Sequence, residues 1–241
     1  MAVNEIVDRH RLTRRFFIVV ALLFPLIVVA GFARTYYLKS IFNGPPVPTL
    51  LVHLHGVVMT AWILVFMAQV WLISSRRIKL HQRLGMASIA LAVLLIIIGI
   101  YTAVAAAKYG SSSTPPGFPP LAFMAVPIFD IVVFAILFGG AIYYRRRPAP
   151  HKRLILLTVL NFLPPAIARL PVDSITAAGP IAFFGIPDLL AIIFVAVDTW
   201  KTGTLNKPFA YGALLMIVSH PLRLWVSGTE TWLQFASWVT S

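Results

Sequence analysis

The sequence predicts an all-α integral membrane bundle of seven transmembrane helices, with a cytoplasmic N-terminus, an external C-terminus and two related parallel helical hairpins. Three observations lead to this prediction. Of the 241 residues, 59% are hydrophobic and only 11% are charged. Apolar runs of about 20 residues recur along the chain. Basic residues gather in alternate connections between these runs. Because an apolar segment in lipid must satisfy its own backbone polar groups, each run is expected to form a helix.

The apolar runs define seven spans within a single transmembrane domain, 1–241. The predicted spans cover residues 16–37, 50–74, 84–107, 121–144, 154–171, 180–198 and 209–227. The first run follows a cluster of arginines, as the apolar core of a cleaved signal peptide does, but its length favours a retained helix. Pro164 and Pro165 interrupt the fifth span, which predicts either a plain kink or a broken helix that lines a substrate site.

The stretch after the last span is predicted to form a short interfacial helix, 228–240. It begins Ser227-Gly-Thr-Glu230, which has the spacing of a capping box. The side chains that follow on one helical face are Trp232, Phe235, Ala236 and Val239. A helix that lies on the outer leaflet with tryptophan at headgroup depth fits this pattern, and a frayed tail is the alternative.

The distribution of basic residues predicts the orientation. The N-terminal segment and the connections at 76–83, 145–153 and 201–207 hold 15 of the 20 lysines and arginines. The positive-inside rule places these segments in the cytoplasm, which predicts a multi-pass protein of the cell inner membrane. The net charge of +13 lies between apolar runs, so the expected partner is the lipid bilayer and not a nucleic acid. The absence of cysteine excludes disulfides and thiolate metal sites.

One internal repeat is visible in the basic connections. Residues 76–84 and 146–154 share the spacing RRxxxHxRL, offset by 70 residues. Each copy joins an inward-running span to an outward-running one. The repeat therefore predicts two hairpins related by a pseudo-twofold axis along the membrane normal. Convergence of two basic turns on a similar composition is the alternative.

Seven ionisable residues lie inside the predicted spans, in the outer half of the membrane. They are His53, His55, Asp130, Arg169, Asp188, His220 and Arg223. Such residues are costly in lipid and usually functional. Imidazoles and carboxylates suit iron, zinc or copper, so one hypothesis is a metal site of His55 and His220, with Asp130 or Asp188 as a third ligand or as the hydrogen-bond partner of a ligand. The alternative is structural ion pairs, in which Arg223 joins Asp188 and Arg169 joins Asp130.

The inner layer holds His81 and His151 at equivalent positions of the repeat. If they face one another, they are suited to hold haem b, with neighbouring arginines receiving the propionates. His55 and His220 would then complete a two-layer electron path across the membrane. This arrangement loosely resembles the cytochrome b561 architecture, in which histidines on different helices hold two haems near opposite faces. Contact with lipid headgroups is the alternative for histidines beside interfacial arginines.

Three further stretches carry a second resemblance, from about residue 50 to the end of the chain. The motifs are HxHG followed by Q and RRxxxHxRLG, then HKRL with PPAIARLP, and HPLRL with TETW. They are similar to a family of uncharacterised bacterial polytopic membrane proteins. The resemblance implies a multi-helix membrane protein and brings no activity with it.

Three functions follow as hypotheses. The first is a redox or metal-binding membrane protein that uses His55 and His220, together with His81 and His151. The second is an accessory subunit that packs against a larger membrane complex. The third is a small-molecule or proton transporter that works through Asp130 and Asp188.

Overall fold

The structure is a computed structural model that describes residues 18–20, 22–44, 47, 49–111, 114 and 117–241. Within these residues the regular structure is entirely helical, and no strand occurs. The N-terminal arginines and the first two residues of the predicted span 16–37 lie outside the described residues.

The described part of the chain contains long helices interrupted by short ones. The helices are α1 (Ile18–Tyr37, ending in the π-helical turn Ala33–Tyr37), α2 (Leu50–Ser74), α3 (Ile78–Tyr109), α4 (Pro120–Phe123), α5 (Ala125–Tyr143), α6 (Pro148–Leu160), α7 (Pro164–Ile167), α8 (Asp173–Ala178), α9 (Pro180–Thr202), α10 (Lys207–Ser227) and α11 (Glu230–Thr240).

Six helical segments in the described residues are long and apolar enough to cross a membrane. They are α1, α2, α3, the continuous segment Pro120–Tyr143 formed by α4 and α5, α9 and α10. Their length and hydropathy indicate a multi-pass membrane protein. A seventh span over 154–171 is not confirmed, because this stretch is divided between α6 and α7.

The division between α6 and α7 has a local cause in the two prolines. Pro164 and Pro165 carry no amide hydrogen, so they cannot donate to the carbonyl groups four residues earlier, those of Leu160 and Asn161. Accordingly α6 ends at Leu160, and α7 restarts with both prolines in its first turn. A proline costs little there, since the amides of a first turn have no helical acceptor. The segment is therefore a broken helix.

The broken helix lies at the centre of the packing. Leu156, Leu157 and Leu160 of α6 are fully buried, and α6 contacts α5, α9 and α10. Gly31 of α1 lies directly against the backbone of Ala166 in α7, where a Cβ atom would overlap the carbonyl group. The helix break is thus held between other helices and does not face lipid alone.

The basic connections lie at one end of the bundle. The rings of His81 at the start of α3 and His151 at the start of α6 are in contact, and Arg153 of α6 pairs with Asp198 near the end of α9. These contacts bring the connections 75–77, 144–147 and 203–206 together. This end is named the basic end, and the other is named the opposite end. That the basic end faces the cytoplasm stays a prediction.

The two copies of the repeat match in helical register. Arg77 and Arg147 precede α3 and α6 as N-cap residues, and each backbone carbonyl accepts the amide of the histidine four residues later. His81 and His151 therefore occupy the same position of their helices. The pseudo-twofold relation between whole hairpins stays a prediction.

The C-terminal helix forms, but its cap differs from the expected one. Thr229, not Ser227, is the N-cap of α11, and its hydroxyl accepts the amide of Trp232. Ser227 instead ends α10, with its hydroxyl bonded to the Leu224 carbonyl. The Trp232 indole donates to the carbonyl of Leu121 at 3.0 Å, so α11 is packed against α4 and is not a frayed tail. Its depth in a membrane stays a prediction.

Candidate functional site

A buried ion pair joins α5 to α10 near the middle of the bundle. The Asp130 carboxylate contacts the Arg223 guanidinium, and Arg223 is fully buried. The guanidinium also donates to the Ser219 hydroxyl at 2.8 Å and to the Ser219 carbonyl at 3.2 Å. A second carbonyl, that of Val126, lies 3.4 Å away. Because the charge is removed from water, the Asp130 carboxylate is its essential counter-ion.

A carboxylate–imidazole hydrogen bond lies beside this ion pair. The Nδ1 atom of His220 is 2.8 Å from the Asp188 carboxylate, which joins α10 to α9. The Phe184 ring stacks on the imidazole with 4.5 Å between centroids. With Asp188 as acceptor, Nδ1 carries the hydrogen and Nε2 keeps a lone pair. Nε2 is buried and has no hydrogen-bond partner among the described residues.

The helix break contributes a third polar group. Asn161, the C-cap residue of α6, is fully buried and donates through its amide nitrogen to the Asp130 carbonyl at 2.9 Å. Its amide oxygen has no partner within the described residues. The break therefore places an unpaired acceptor next to the ion pair. The six residues of this region, named the central polar cluster, are Asp130, Asn161, Asp188, Ser219, His220 and Arg223.

The predicted ion pairs are wrong in detail. The structure pairs Arg223 with Asp130, and it pairs Asp188 with His220. The expected pairing of Asp130 with Arg169 is not formed, because the Asp130 carboxylate contacts Arg223. Arg169 lies instead over the Phe32 ring of α1, 4.8 Å from its centroid.

The two histidines of α2, His53 and His55, make no described hydrogen bond or ring contact with the central polar cluster. His53 Nδ1 lies 3.1 Å from the Tyr36 hydroxyl of α1. His55 lies within electrostatic range of Arg169, whose guanidinium donates to the Pro165 carbonyl at 2.7 Å. The expected meeting of His55 with His220 is not among the described hydrogen bonds or ring contacts. His220 instead faces α9, through its hydrogen bond to Asp188.

The basic end brings its two histidines together. The ring centroids of His81 and His151 are 6.4 Å apart, with the planes nearly perpendicular. His151 Nδ1 lies 2.8 Å from the Ala141 carbonyl, whereas the buried Nδ1 of His81 has no partner in the described part of the chain. The equivalence of the two positions, visible in the sequence, therefore corresponds to spatial contact.

One ion pair at the basic end was missed at the level of sequence. Arg153 binds Asp198 through two parallel hydrogen bonds of 2.6 and 2.7 Å, and its remaining nitrogen donates to the Ala149 carbonyl at 2.6 Å. The signal was present, because Asp198 is the only acidic residue near that end within the described residues. Arg153 was assigned to the cytoplasmic loop charge instead.

The structure adds no support for a metal or a haem at the predicted residues. Among the described residues, no group of three or more histidine, aspartate or glutamate side chains is placed to hold a metal ion. Two surface cavities of about 430 and 560 Å³ are formed, one beside Arg83 and one beside Trp232. Neither is lined by His55, His220 or the other predicted ligands.

Comparisons with known proteins found no match, either to a family model, to a curated protein or to a solved structure. The resemblance to the uncharacterised bacterial family and to the cytochrome b561 architecture therefore stays a prediction. The chemistry of the site has to be argued from its own residues.

Proposed function

We propose that the protein conducts protons across the membrane by way of Asp188, His220 and Asp130, and that a small solute can accompany them. The observation that carries this proposal is the hydrogen bond of 2.8 Å between Asp188 and His220, in a segment long and apolar enough to cross the bilayer. Aspartate and histidine side chains inside a membrane bundle are typical of proton pathways.

The two side chains differ in exposure, which indicates how a proton can pass between the surface and the interior of the bundle. The Asp188 side chain is 19% exposed and that of His220 only 2%, so Asp188 has contact with the surface and His220 has not. A proton that binds at the buried Nε2 gives an imidazolium, which the Asp188 carboxylate stabilises. Loss of the Nδ1 proton to Asp188 leaves the ring neutral in the other tautomer. One imidazole can thus pass a proton between the interior and Asp188.

Proton binding at Asp130 is expected to weaken the packing of α5 against α10. Its carboxylate interacts electrostatically with both Arg223 and His220. Protonation of Asp130 removes the charge that holds the Arg223 guanidinium, which keeps only its neutral acceptors on Ser219 and Val126. The contact between α5 and α10 is then weakened. Such a change is a means of coupling a proton to a second solute.

The broken helix supports a solute path through the same place. Discontinuous helices in membrane transporters expose backbone and side-chain polar groups at the binding site. Here the break adjoins Asp130, and the Asn161 amide oxygen is an unpaired buried acceptor.

The test is proton flux in vesicles that contain the purified protein. A potassium diffusion potential drives proton entry, which an enclosed pH-sensitive dye reports. We expect Asp188→Asn to lower the flux on the order of 100-fold, the usual scale for loss of a proton-transfer group. This variant keeps an oxygen that accepts the His220 Nδ1–H, so the contact is kept while the titrating group is lost.

The matched control is Asp173→Asn, which makes the same substitution on the exposed helix α8. It is expected to leave the flux unchanged. Flux in the Asp188→Asn variant equal to that of the wild type would contradict the proposal. So would wild-type vesicles that are no more permeable to protons than empty ones under a potential of either sign.

Haem b held by His81 and His151 is a second candidate, and one observation favours it. The Ala141 carbonyl fixes the His151 Nδ1 atom, as in most histidines whose other nitrogen binds a metal. This candidate predicts a Soret absorption band in the same purified protein, lost in His151→Ala. A colourless preparation that conducts protons would remove it. The role of an accessory subunit stays a prediction.

A further inference from the structure

A groove of about 430 Å³ lies at the basic end, outside the central polar cluster. It is lined by Lys79, Gln82, Arg83 and Met86, all on α3. These positions are spaced i, i+3, i+4 and i+7, so they share one face of the helix. Two cationic side chains and one amide thus converge above an exposed methionine, which is 65% exposed.

The same helix face continues towards the opposite end as an apolar stripe. Val93, Ile97 and Ile100 follow Met86 at helical spacing and are exposed by 51%, 46% and 42%. From Arg83 to Ile100 the stripe is about 25 Å long at roughly 1.5 Å per residue. It therefore exceeds one leaflet of a hydrocarbon core about 30 Å thick. Cationic groups at one end and an apolar stripe below them have the dimensions of a phospholipid.

The charged residues around the groove indicate which type of lipid headgroup it can bind. The acidic residues in the described part of the chain are Asp130, Asp173, Asp188, Asp198 and Glu230. Of these only Asp198 lies near the basic end, and it is bound to Arg153. Among the described residues, no carboxylate is thus placed to neutralise Lys79 and Arg83, or to bind the ammonium group of a zwitterionic lipid. The complementary ligand is a net anionic phosphodiester.

We propose that this groove is a binding site for an anionic phospholipid, with its phosphate at Lys79 and Arg83 and an acyl chain along Met86, Val93 and Ile97. Basic pockets at the cytoplasmic ends of membrane helices commonly hold anionic headgroups. The site is independent of the proton pathway, since it shares no residue with the central polar cluster.

Native mass spectrometry of the delipidated full-length protein tests the site. Phosphatidylglycerol and phosphatidylcholine with identical acyl chains are titrated separately. We expect phosphatidylglycerol to bind more tightly, and the double variant Lys79→Gln/Arg83→Gln to weaken its binding on the order of 30-fold. The matched control, Arg145→Gln/Arg146→Gln, removes the same charge from the α5–α6 connection and should leave the affinity within about twofold of the wild type.

Four outcomes would overturn the proposal. Equal affinity for the two lipids, or equal weakening by the control variant, would show that general surface charge is responsible. Displacement of the lipid by an equal concentration of inorganic phosphate would show that the groove takes free phosphate. A dimer in the same spectra that the Lys79→Gln/Arg83→Gln variant loses would show that a second copy of the chain occupies the groove. All the substituted side chains are exposed, so the variants are expected to fold.

Discussion

The two buried arginine–aspartate pairs of this protein differ in how the carboxylate is bound. Asp198 binds Arg153 through both oxygens, and this is named the closed pair; Asp130 binds Arg223 among other polar groups, and this is named the open cluster. Arg153 at the basic end uses all its guanidinium nitrogens, two on the Asp198 carboxylate and one on a backbone carbonyl. Arg223 in the central polar cluster shares its nitrogens between Asp130, the two oxygens of Ser219 and a distant carbonyl. Both arginines are at most 5% exposed, so burial alone does not distinguish the pairs.

The surroundings of the two pairs show what the difference means. In the bidentate pair of Arg153 and Asp198, a planar guanidinium is matched to a planar carboxylate. This geometry links α6 and α9 rigidly. Beside the other pair lie an unpartnered imidazole nitrogen, an unpartnered amide oxygen and a helix break. In the closed pair both carboxylate oxygens accept from the guanidinium. The open cluster combines an ion pair with two buried unpartnered atoms and a helix break, and the proposed function rests on it for this reason.

The largest expected effect is that of removing the carboxylate from the open cluster. Asp130→Ala leaves the fully buried Arg223 without a counter-ion, and we expect a loss of about 3–5 kcal/mol in unfolding free energy. Reversible denaturation in mixed detergent measures it. Asp130→Ala/Arg223→Met, which removes both charges, should recover most of the loss. If the single variant is as stable as the wild type, Asp130 does not neutralise Arg223.

A smaller effect is expected where α1 supports the helix break. Gly31→Ala places a Cβ atom against the Ala166 carbonyl, and we expect a cost of about 1–3 kcal/mol because backbone has to shift. Gly139→Ala is the control, since a Cβ atom there meets nothing within 4 Å. The same denaturation measurement applies. Equal stability of the two variants would mean that α1 does not pack on α7.

Much of the fold could be predicted from the sequence, because length and hydropathy act locally. The span 50–74 coincides with α2, where Thr49 supplies a cap and the basic corner follows. The break at Pro164 and Pro165 was visible as a possibility, since proline removes a donor wherever it stands. The repeat predicted equivalent positions for His81 and His151, and their contact was only a condition of the haem hypothesis.

The partners of the charged residues could not be predicted in the same way. Hydropathy gives the depth of a residue along a helix, but not which neighbour its face meets. Asp130 and Arg223 are 93 positions apart in the chain, and their pairing depends on the packing of α5 against α10. Arg169 is a second case, since it lies over Phe32 of α1 and does not meet Asp130. The depth of a charged residue limits which ion-pair partners it can reach, and the packing of the helices determines which of them it contacts.

The smallest expected effect is at the closed pair, where we expect some loss of stability and no loss of proton flux. Asp198→Ala removes the partner of Arg153, but this pair lies near a helix end, where the long arginine side chain can extend towards water. We therefore expect a cost of about 1–2 kcal/mol, below the cost of breaking a fully buried pair. Proton flux in vesicles should stay at the wild-type value, since neither residue belongs to the proposed pathway. Loss of flux with little loss of stability would place a proton-transfer group at the basic end and would move the functional site away from the central polar cluster.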